Sequence, residues 1–181
     1  MKVTSVSNNG GYYKDKNDAW HGCKVLDNGV YVDLNNNPLT GEEQASVQET
    51  LLVFFNAKEV KQVGKEETTD RVSLPVARLR AMMRQNAEAS ELLNLGKSEA
   101  YILENAEVEL EQVEYKKGEV IPGTDSTYAD DGYRVTIKIA NLDADVKNFL
   151  VSSRKAKQIA EMKKSFPELS IQDCKDLLGI A

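Results

Sequence analysis

A strict alternation of apolar and polar residues late in the chain constrains the fold more than any other feature. The alternating residues are Tyr133, Val135, Ile137 and Ile139 against Arg134, Thr136 and Lys138. Successive side chains of a strand point to opposite faces of its sheet, so this pattern predicts a half-buried β-strand. We expect Ile137 to be buried and Lys138 to be exposed. A sheet with one solvated face is therefore part of the fold.

Two earlier segments also predict strands. Asn28-Gly29 lies between the apolar runs 20–26 and 30–34. An Asn-Gly pair in this position is a strong hairpin signal, because both turn positions favour positive φ. Residues 49–55 are almost wholly apolar, which predicts a strand covered on both faces. The charged stretch 58–70 predicts an exposed hairpin or loop.

A helix and a bent strand are predicted in the middle of the chain. Ser73-Leu74-Pro75 opens the helix, since proline suits the first helical turn, and Gly96 is a stop signal. Residues 101–115 predict the next strand, in which the apolar period slips by one near Glu111-Gln112. Such a slip indicates a β-bulge, and bulges bend strands that coil around a barrel.

Composition divides the chain into three segments. Residues 1–19 are polar, so we expect an N-terminal arm that buries little and lies on the surface. Residues 20–142 hold the predicted strands and form a β domain. Residues 143–181 predict a C-terminal helical extension, in which a long helix is followed by a short one that Ser170 caps.

The residues that most enzymatic reactions need are scarce. His21 is the only histidine, which excludes metal sites built on paired histidines and most nucleophile–base pairs. No glycine-rich phosphate loop is followed by a helix and a lysine. Glu107, Glu109 and Glu111 alternate along one strand and predict a solvated face rather than an acid–base or metal cluster. We therefore expect a protein that is not an enzyme and has no cofactor or metal.

Composition also bounds the setting. Hydrophobic residues make up 41% and charged residues 29% of the 181 residues, as in ordinary globular proteins. No apolar run approaches the roughly 20 residues of a membrane span, and the N-terminus lacks the apolar stretch of a secretory signal. The two cysteines, Cys23 and Cys174, are expected to be reduced thiols. These features favour a cytoplasmic protein with no membrane partner.

The predicted elements follow in the order strand, strand, apolar strand, helix, bulged strand, long loop over 116–132 and alternating strand. That is the order of an OB-fold, a five-stranded barrel with its helix between the third and fourth strands. The expected fold class is thus α+β and mainly β, with an OB-like barrel over 20–142 and C-terminal helices. A β-sandwich and a mixed α+β sheet remain open alternatives.

Three segments sharpen this comparison: SEAYILENAEVELE over 98–111, YKKGE over 115–119 and DGYRVTI over 131–137. They resemble the second half of bacterial and phage single-stranded DNA-binding proteins. That family has a helix, a small residue before a V-x-(I/L)-E strand, a basic β-loop, and a strand that begins with an aromatic residue or arginine. The resemblance covers about 40 residues within 75–140.

The resemblance implies sequence-tolerant binding of single-stranded DNA in replication or recombination, inside a bacterial host cell if a phage encodes the protein. One segment departs from the family. Members of the family usually end in a flexible tail with an acidic, aromatic tip, whereas residues 173–181 of this chain look folded.

Single-strand binding needs aromatic stacking platforms and basic residues along a backbone track. The candidates flank the long loop and lie on the first hairpin: Tyr115, Lys116, Lys117, Tyr128, Tyr133, Arg134 and Lys138, with Trp20, Lys24 and Tyr31. The net charge of −6 gives no overall attraction to phosphates, so the attraction must be local. Acidic residues within 107–114 oppose it unless they face away. The basic run 154–164 is a second candidate surface.

A different hypothesis explains the same residues. The aromatic side chains then pack on a sheet face, and the lysines only keep that face soluble. The protein is in that case a structural or assembly protein, such as a virion or scaffold component, whose arm, apolar strand 51–55 and C-terminal helices join copies of the chain in a homo-oligomer. A hydrolase or nuclease that uses clustered carboxylates and a divalent cation is a third hypothesis. Salt-dependent binding to an oligonucleotide discriminates the first two.

Overall fold

The structure of the protein is a computed structural model that describes residues 1–56, 71–122 and 124–181. The predicted hairpin or loop over 58–70 lies outside the described residues. The chain falls into two compact units, 1–141 and 142–181. This division lies one residue from the boundary expected after residue 142.

Strands and helices alternate irregularly in the first unit. In chain order they are β1 (Val3–Lys14), β2 (Trp20–Val25), β3 (Tyr31–Asp33), α1 (Gly41–Ala45), β4 (Gln48–Phe55), β5 (Arg71–Pro75), α2 (Val76–Met83), α3 (Ala87–Asn94), α4 (Glu99–Glu104), β6 (Ala106–Tyr115) and β7 (Gly132–Leu142). β1 to β5 form one antiparallel sheet in the spatial order β3-β2-β1-β4-β5. β6 and β7 pair in a separate two-stranded sheet. The predicted mixture of sheet and helices is therefore confirmed.

The larger sheet has Greek-key connectivity. β1, β2 and β3 are joined by short connections, and the longer connection through α1 brings β4 back beside β1. Three hairpin-linked strands with a fourth strand beside the first define a Greek key. Within the described residues the sheet is open at β3 and β5 and does not close into a barrel. The strands expected to complete a barrel over 20–142, β6 and β7, lie in the other sheet.

The N-terminal segment 1–19 is not a surface arm, because most of it is β1. This strand pairs with β2 on one side and β4 on the other, so it lies at the centre of the sheet. The polar composition of this segment gave no strand pattern. The strand is held by backbone hydrogen bonds to two neighbours and has few apolar side chains. Gly10 and Gly11 are both buried. Gly10 has a φ of +78°, and the pairing with β4 shifts register between Asn8 and Gly11, as a β-bulge does.

The two predicted strands of the hairpin, β2 and β3, and the predicted apolar strand, β4, are confirmed. The Leu26 amide donates to the Val30 carbonyl at 2.9 Å, and Gly29 occupies the turn between β2 and β3 with a φ of +82°. β4 buries side chains on both of its faces, including Leu51, Val53 and Phe55 with Thr50. The apolar run thus forms a strand that other elements cover.

Three short helices follow β5 and supply much of the core. The single helix predicted from Ser73-Leu74-Pro75 to Gly96 is wrong in two respects. Residues 73–75 end β5, so α2 begins only at Val76, and Asn86 caps a separate helix, α3, by accepting a hydrogen bond from the Ala89 amide at 3.0 Å. Gly96, with a φ of +87°, follows α3, and the Lys97 amide donates to the Leu92 carbonyl at 3.0 Å, which is the 6→1 bond of a Schellman motif. Seven side chains of β5 and these helices are at most 1% exposed: Leu74, Leu79, Met83, Ala89, Leu92, Ile102 and Leu103.

The strand predicted over 101–115 begins only at Ala106. Residues 99–104 are helical because Ser98 caps α4, its Oγ accepting a hydrogen bond from the Tyr101 amide at 3.1 Å. Along β6 the buried residues alternate up to Leu110, and the exposed pair Glu111 and Gln112 then breaks the alternation. The predicted slip of the apolar period is confirmed.

The second unit contains α5 (Ala144–Ser165) and α6 (Ile171–Leu178). Ser170 and Asp173 form a capping box at the start of α6, so the predicted C-terminal helices are confirmed. Lys163 donates to the Pro167 and Leu169 carbonyls and holds the turn between the two helices. Among the described residues, none of the helices combines the length and the apolar character that crossing a membrane requires.

The close approach of the Gln48 backbone to Gly11 leads to a prediction about stability. A Cβ at this position would lie 2.1 Å from the Gln48 carbonyl oxygen. We expect Gly11→Ala to lower the free energy of unfolding by about 1–3 kcal/mol, the usual cost of overpacking. Gly41→Ala is the control, because nothing lies within 4 Å of a Cβ there. Urea denaturation measures both variants, and equal stability would contradict the central position of β1.

The assignment of buried and exposed positions along β7 leads to a second prediction about stability. Ile137 is 3% exposed and Lys138 is exposed, as the alternation predicts. Ile137→Ala should cost about 2–5 kcal/mol of unfolding free energy, as deletion of a buried aliphatic side chain does. Lys138→Ala should change it by less than about 0.5 kcal/mol, the range of most surface substitutions. Thermal or urea denaturation that shows equal losses would contradict this assignment.

Candidate nucleic-acid interface

The candidate residues do not form one surface. Trp20 and Lys24 lie on β2, Tyr31 lies on β3, and the other candidates belong to β6, β7 and the connection between them. Tyr31 faces away from Trp20 and Lys24, because its partner on β2 is Val25 and opposed residues share a face. The Tyr31 hydroxyl accepts a hydrogen bond from Asn8 at 2.9 Å. Tyr31 therefore does not join the other two candidates of the hairpin.

The opposite face of the hairpin collects aromatic and basic side chains. Tyr12 is paired with Gly22, and Lys14 with Trp20, so these side chains and Lys24 project to the same side. We call Tyr12, Lys14, Trp20 and Lys24 the hairpin face. Tyr12 is 53% and Trp20 is 43% exposed. The Lys14 ammonium lies 5.2 Å from the centre of the Trp20 ring, within the range of a cation–π contact.

Sequence reasoning missed Tyr12 and Lys14, because they lie in the segment read as an arm. A signal was present in the polar turn between Tyr12-Tyr13 and Trp20, where two segments with aromatic residues flank Asp15 to Asp18. The turn is held by Asp15, whose backbone carbonyl accepts from the Asp18 amide at 3.0 Å. Asp15 also contacts His21 at 2.9 Å. Hydrogen bonds from His21 and from backbone amides lower the pKa of Asp15.

The predicted long connection between β6 and β7 contains a short antiparallel bridge, Val120 to Thr127, among its described residues. The Gly118 amide donates to the Tyr128 carbonyl at 2.9 Å, and the Tyr128 amide donates to the Glu119 carbonyl at 3.0 Å. Thr124 to Ser126, near its tip, line a cleft of about 480 Å³ together with Lys14 and Trp20. The connection thus reaches from the hairpin face to a second group of residues at its base.

That second group is an arginine–tyrosine cluster formed by Arg78, Tyr115, Tyr128 and Arg134. The rings of Tyr115 and Tyr128 stack with centroids 3.7 Å apart and planes inclined by 12°. Arg134 lies over the Tyr128 ring, and its Nη1 donates to the Tyr128 hydroxyl at 3.2 Å. Gly132 leaves room for Tyr115, whose hydroxyl would lie 2.6 Å from a Cβ at that position. Tyr115 and Tyr128 therefore use a ring face on one another rather than on a base.

Arg78 was not among the predicted site residues. It comes from α2, where its helical position gave no sign that it would face β7. Burial lowers the pKa of its guanidinium, an effect opposed by the Tyr128 hydroxyl and reinforced by the charge of Arg134. The Nε atoms of Arg78 and Arg134 are both buried without a hydrogen-bond partner.

Tyr133 is the aromatic residue of this region that remains available. It is 61% exposed and borders the same cleft as Arg78 and Arg134. Lys116 is less available, because it forms ion pairs with Glu114 and, at 3.9 Å, with Asp131. Glu114 is the main cause of the raised pKa of Lys116.

Lys117 and Lys138 complete the predicted set. The Lys117 amide donates to the Asp131 carboxylate at 2.8 Å, so this contact fixes its backbone rather than its side chain. Lys138 borders a neighbouring cleft, which Glu111 also lines. Glu107, Glu109, Glu111 and Glu114 are all exposed, so the predicted solvated acidic face of β6 is confirmed.

Metal chemistry points to no other site among the described residues. The described residues contain no group of three or more histidine, cysteine, aspartate or glutamate side chains that could hold a metal ion. Cys23 and Cys174 are free and buried, and burial raises the pKa of the Cys23 thiol. Comparison with protein families, curated proteins and solved structures finds no match to this chain.

The tyrosine stack generates a prediction about stability. Tyr128→Ala should destabilise the hairpin between β6 and β7, because it removes the stacking partner of Tyr115 and the acceptor of Arg134. An aromatic pair contributes about 0.5–1.5 kcal/mol beyond the area that it buries. Tyr133→Ala is the matched control and should leave the hairpin intact. Limited proteolysis within 116–131 and urea denaturation measure both variants, and equal effects would show that the stack is not structural.

Proposed function

We propose that the protein binds single-stranded nucleic acid without strong sequence preference. The hairpin face is the observation that carries this proposal. It presents the exposed aromatic rings of Tyr12 and Trp20 on the side of the sheet to which Lys14 and Lys24 also project, with the Lys14 ammonium over the Trp20 ring. Aromatic platforms stack on bases of any identity, and neighbouring cations attract the backbone phosphates.

The connectivity of the large sheet supports the same proposal. An OB-fold is a five-stranded, partly open Greek-key barrel that binds oligonucleotides on the face of its second and third strands. Here five strands follow Greek-key order, with α1 between the third and fourth of them. We propose that this sheet is an open variant of the OB type. Its second strand, β2, then carries the expected ligand face, where Trp20 and Lys24 lie.

The distribution of charge is compatible with local binding on an acidic protein. The net charge is −6, so a strand is attracted only where cations are concentrated. The exposed glutamates of β6 belong to the smaller sheet, whereas Lys14 and Lys24 lie on the larger one. Asp18 offsets part of the charge of Lys14, because the two side chains form an exposed ion pair at 3.7 Å. Binding of this kind would serve replication or recombination, in a bacterial host cell if a phage encodes the protein.

Trp20 is the only tryptophan, so its fluorescence reports directly on this face. We expect oligo-dT to quench it at low salt. Tyr12→Ala retains the reporter and should weaken binding about five- to 150-fold, because one stacked base contributes roughly 1–3 kcal/mol. Tyr101→Ala is the control. It removes another tyrosine whose ring contacts a lysine, with Lys97 4.6 Å away, and should leave the affinity unchanged.

The lysines are tested through the salt dependence. Lys14→Ala combined with Lys24→Ala should lower the slope of log K against log[salt] by about 0.7 for each lost phosphate contact. Lys155→Ala with Lys157→Ala, on the basic run of α5, removes the same charge. Loss of slope in that second variant alone would move the site to α5. Absence of any oligo-dT binding at low salt would reject the proposal and favour the assembly hypothesis.

A further inference from the structure

Two arginine side chains from distant parts of the first unit lie side by side. Arg78 comes from α2 and Arg134 from β7, and both face the Tyr128 hydroxyl. The two residues also border the same pair of clefts, of about 360 Å³ and 320 Å³. The two arginines therefore place positive charge at the border of both clefts.

These guanidinium groups lack the counter-charges that buried charges usually have. Both Nε atoms are buried without a hydrogen-bond acceptor. Neither arginine forms an ion pair with a carboxylate of the described residues. Arg80, on the same helix as Arg78, is different because its Nε donates to Glu99 at 2.7 Å. Withdrawal of like charges from water without counter-charges is unfavourable, so a bound anion would offset a cost already present in the protein.

We propose that Arg78 and Arg134 form a binding site for one phosphate group, with the exposed ring of Tyr133 placed to stack on the base of a nucleotide. A planar carboxylate is saturated by the fork of one guanidinium. Two forks that approach from different elements instead match the several oxygens of a tetrahedral anion. The clefts suit a small group, and the one that Tyr133 borders has no acidic side chain among its described lining residues.

The site goes beyond the proposed function, because it is distinct from the hairpin face and a free nucleotide satisfies it as well as a strand does. The phosphate can belong to a mononucleotide, to the end of a strand or to an internal phosphodiester. These three sources share the chemistry that the arginines recognise, and the experiment separates them.

The test uses the full chain with dTMP, thymidine and inorganic phosphate. At equal ionic strength, phosphate and dTMP should raise the Tm, whereas chloride and thymidine should not. Arg78→Met and Arg134→Met should each weaken dTMP binding about tenfold or more in calorimetry, because hydrogen bonds to charged groups contribute roughly 1.5–3 kcal/mol. Arg84→Ala is the control. Arg84 is exposed at the end of α2, so its loss removes the same charge outside the pair.

A second readout separates binding from a structural role. Without ligand, Arg78→Met should raise the Tm, since it removes an uncompensated charge from a partly buried position. Should this variant fail to fold, Arg78→Lys keeps the charge but not the fork, and should weaken dTMP binding while leaving the fold intact. Phosphate that stabilises no more than chloride, or an equal loss of affinity in Arg84→Ala, would overturn the site. So would unchanged dTMP binding in Arg78→Met or, if that variant does not fold, in Arg78→Lys.

Competition then identifies the source of the phosphate. Displacement of dTMP only by 5′-phosphorylated oligo-dT assigns the site to strand ends, and displacement by unphosphorylated oligo-dT assigns it to internal phosphodiesters. Displacement by neither assigns it to free nucleotides. The two proposals fail separately, because the Tyr12→Ala variant should lose oligo-dT affinity at the hairpin face while it keeps its affinity for dTMP.

Discussion

The pairing of β1 with two neighbours is the constraint on which the first unit depends. One edge of β1 meets β2 and the other meets β4, so the Greek-key order exists only if both sets of hydrogen bonds form. The two residues that precede the strand link the two sheets, because the Met1 carbonyl accepts a hydrogen bond from the Val108 amide of β6 at 2.9 Å and Lys2 pairs with Glu107 in an isolated bridge. Small residues at Gly10 and Gly11 make this possible, since the neighbouring backbones approach closer than a side chain allows.

This dependence explains which elements the sequence could predict. Periodicity located β7 and the C-terminal helices because their side chains divide between core and solvent, and the continuous apolar run located β4 because both of its faces are covered. Periodicity also located the slip at Glu111-Gln112, because the slip interrupts the alternation of apolar and polar residues along β6. β1 was beyond its reach, because backbone contacts stabilise that strand and leave no apolar repeat. The start of β6 was predicted too early for a local reason. Ser98 caps a short helix, α4, which occupies the first residues of the predicted strand.

The candidate sites divide in the same way. Trp20 and Lys24 were found because aromatic and basic residues near a hairpin are visible in the sequence. Their partners Tyr12 and Lys14 depend on the register between β1 and β2, which no local pattern encodes. Arg78 and Arg134 are separated by 56 positions in the chain. Only the tertiary packing of α2 against β7 makes them neighbours, and a search for short motifs cannot find such a pair.

The outer margin of the large sheet has a consequence for self-association. β3 is only three residues long, and at its outer edge Val32 of this strand pairs with Pro38 in an isolated bridge. Proline has no amide hydrogen to offer, and a short, proline-covered margin is a poor template for another strand. Growth of the sheet from this side by recruitment of extended chains, the route to fibrillar aggregation, is thereby blocked. A homo-oligomer of this protein would have to use side-chain surfaces rather than continuous strand pairing at β3.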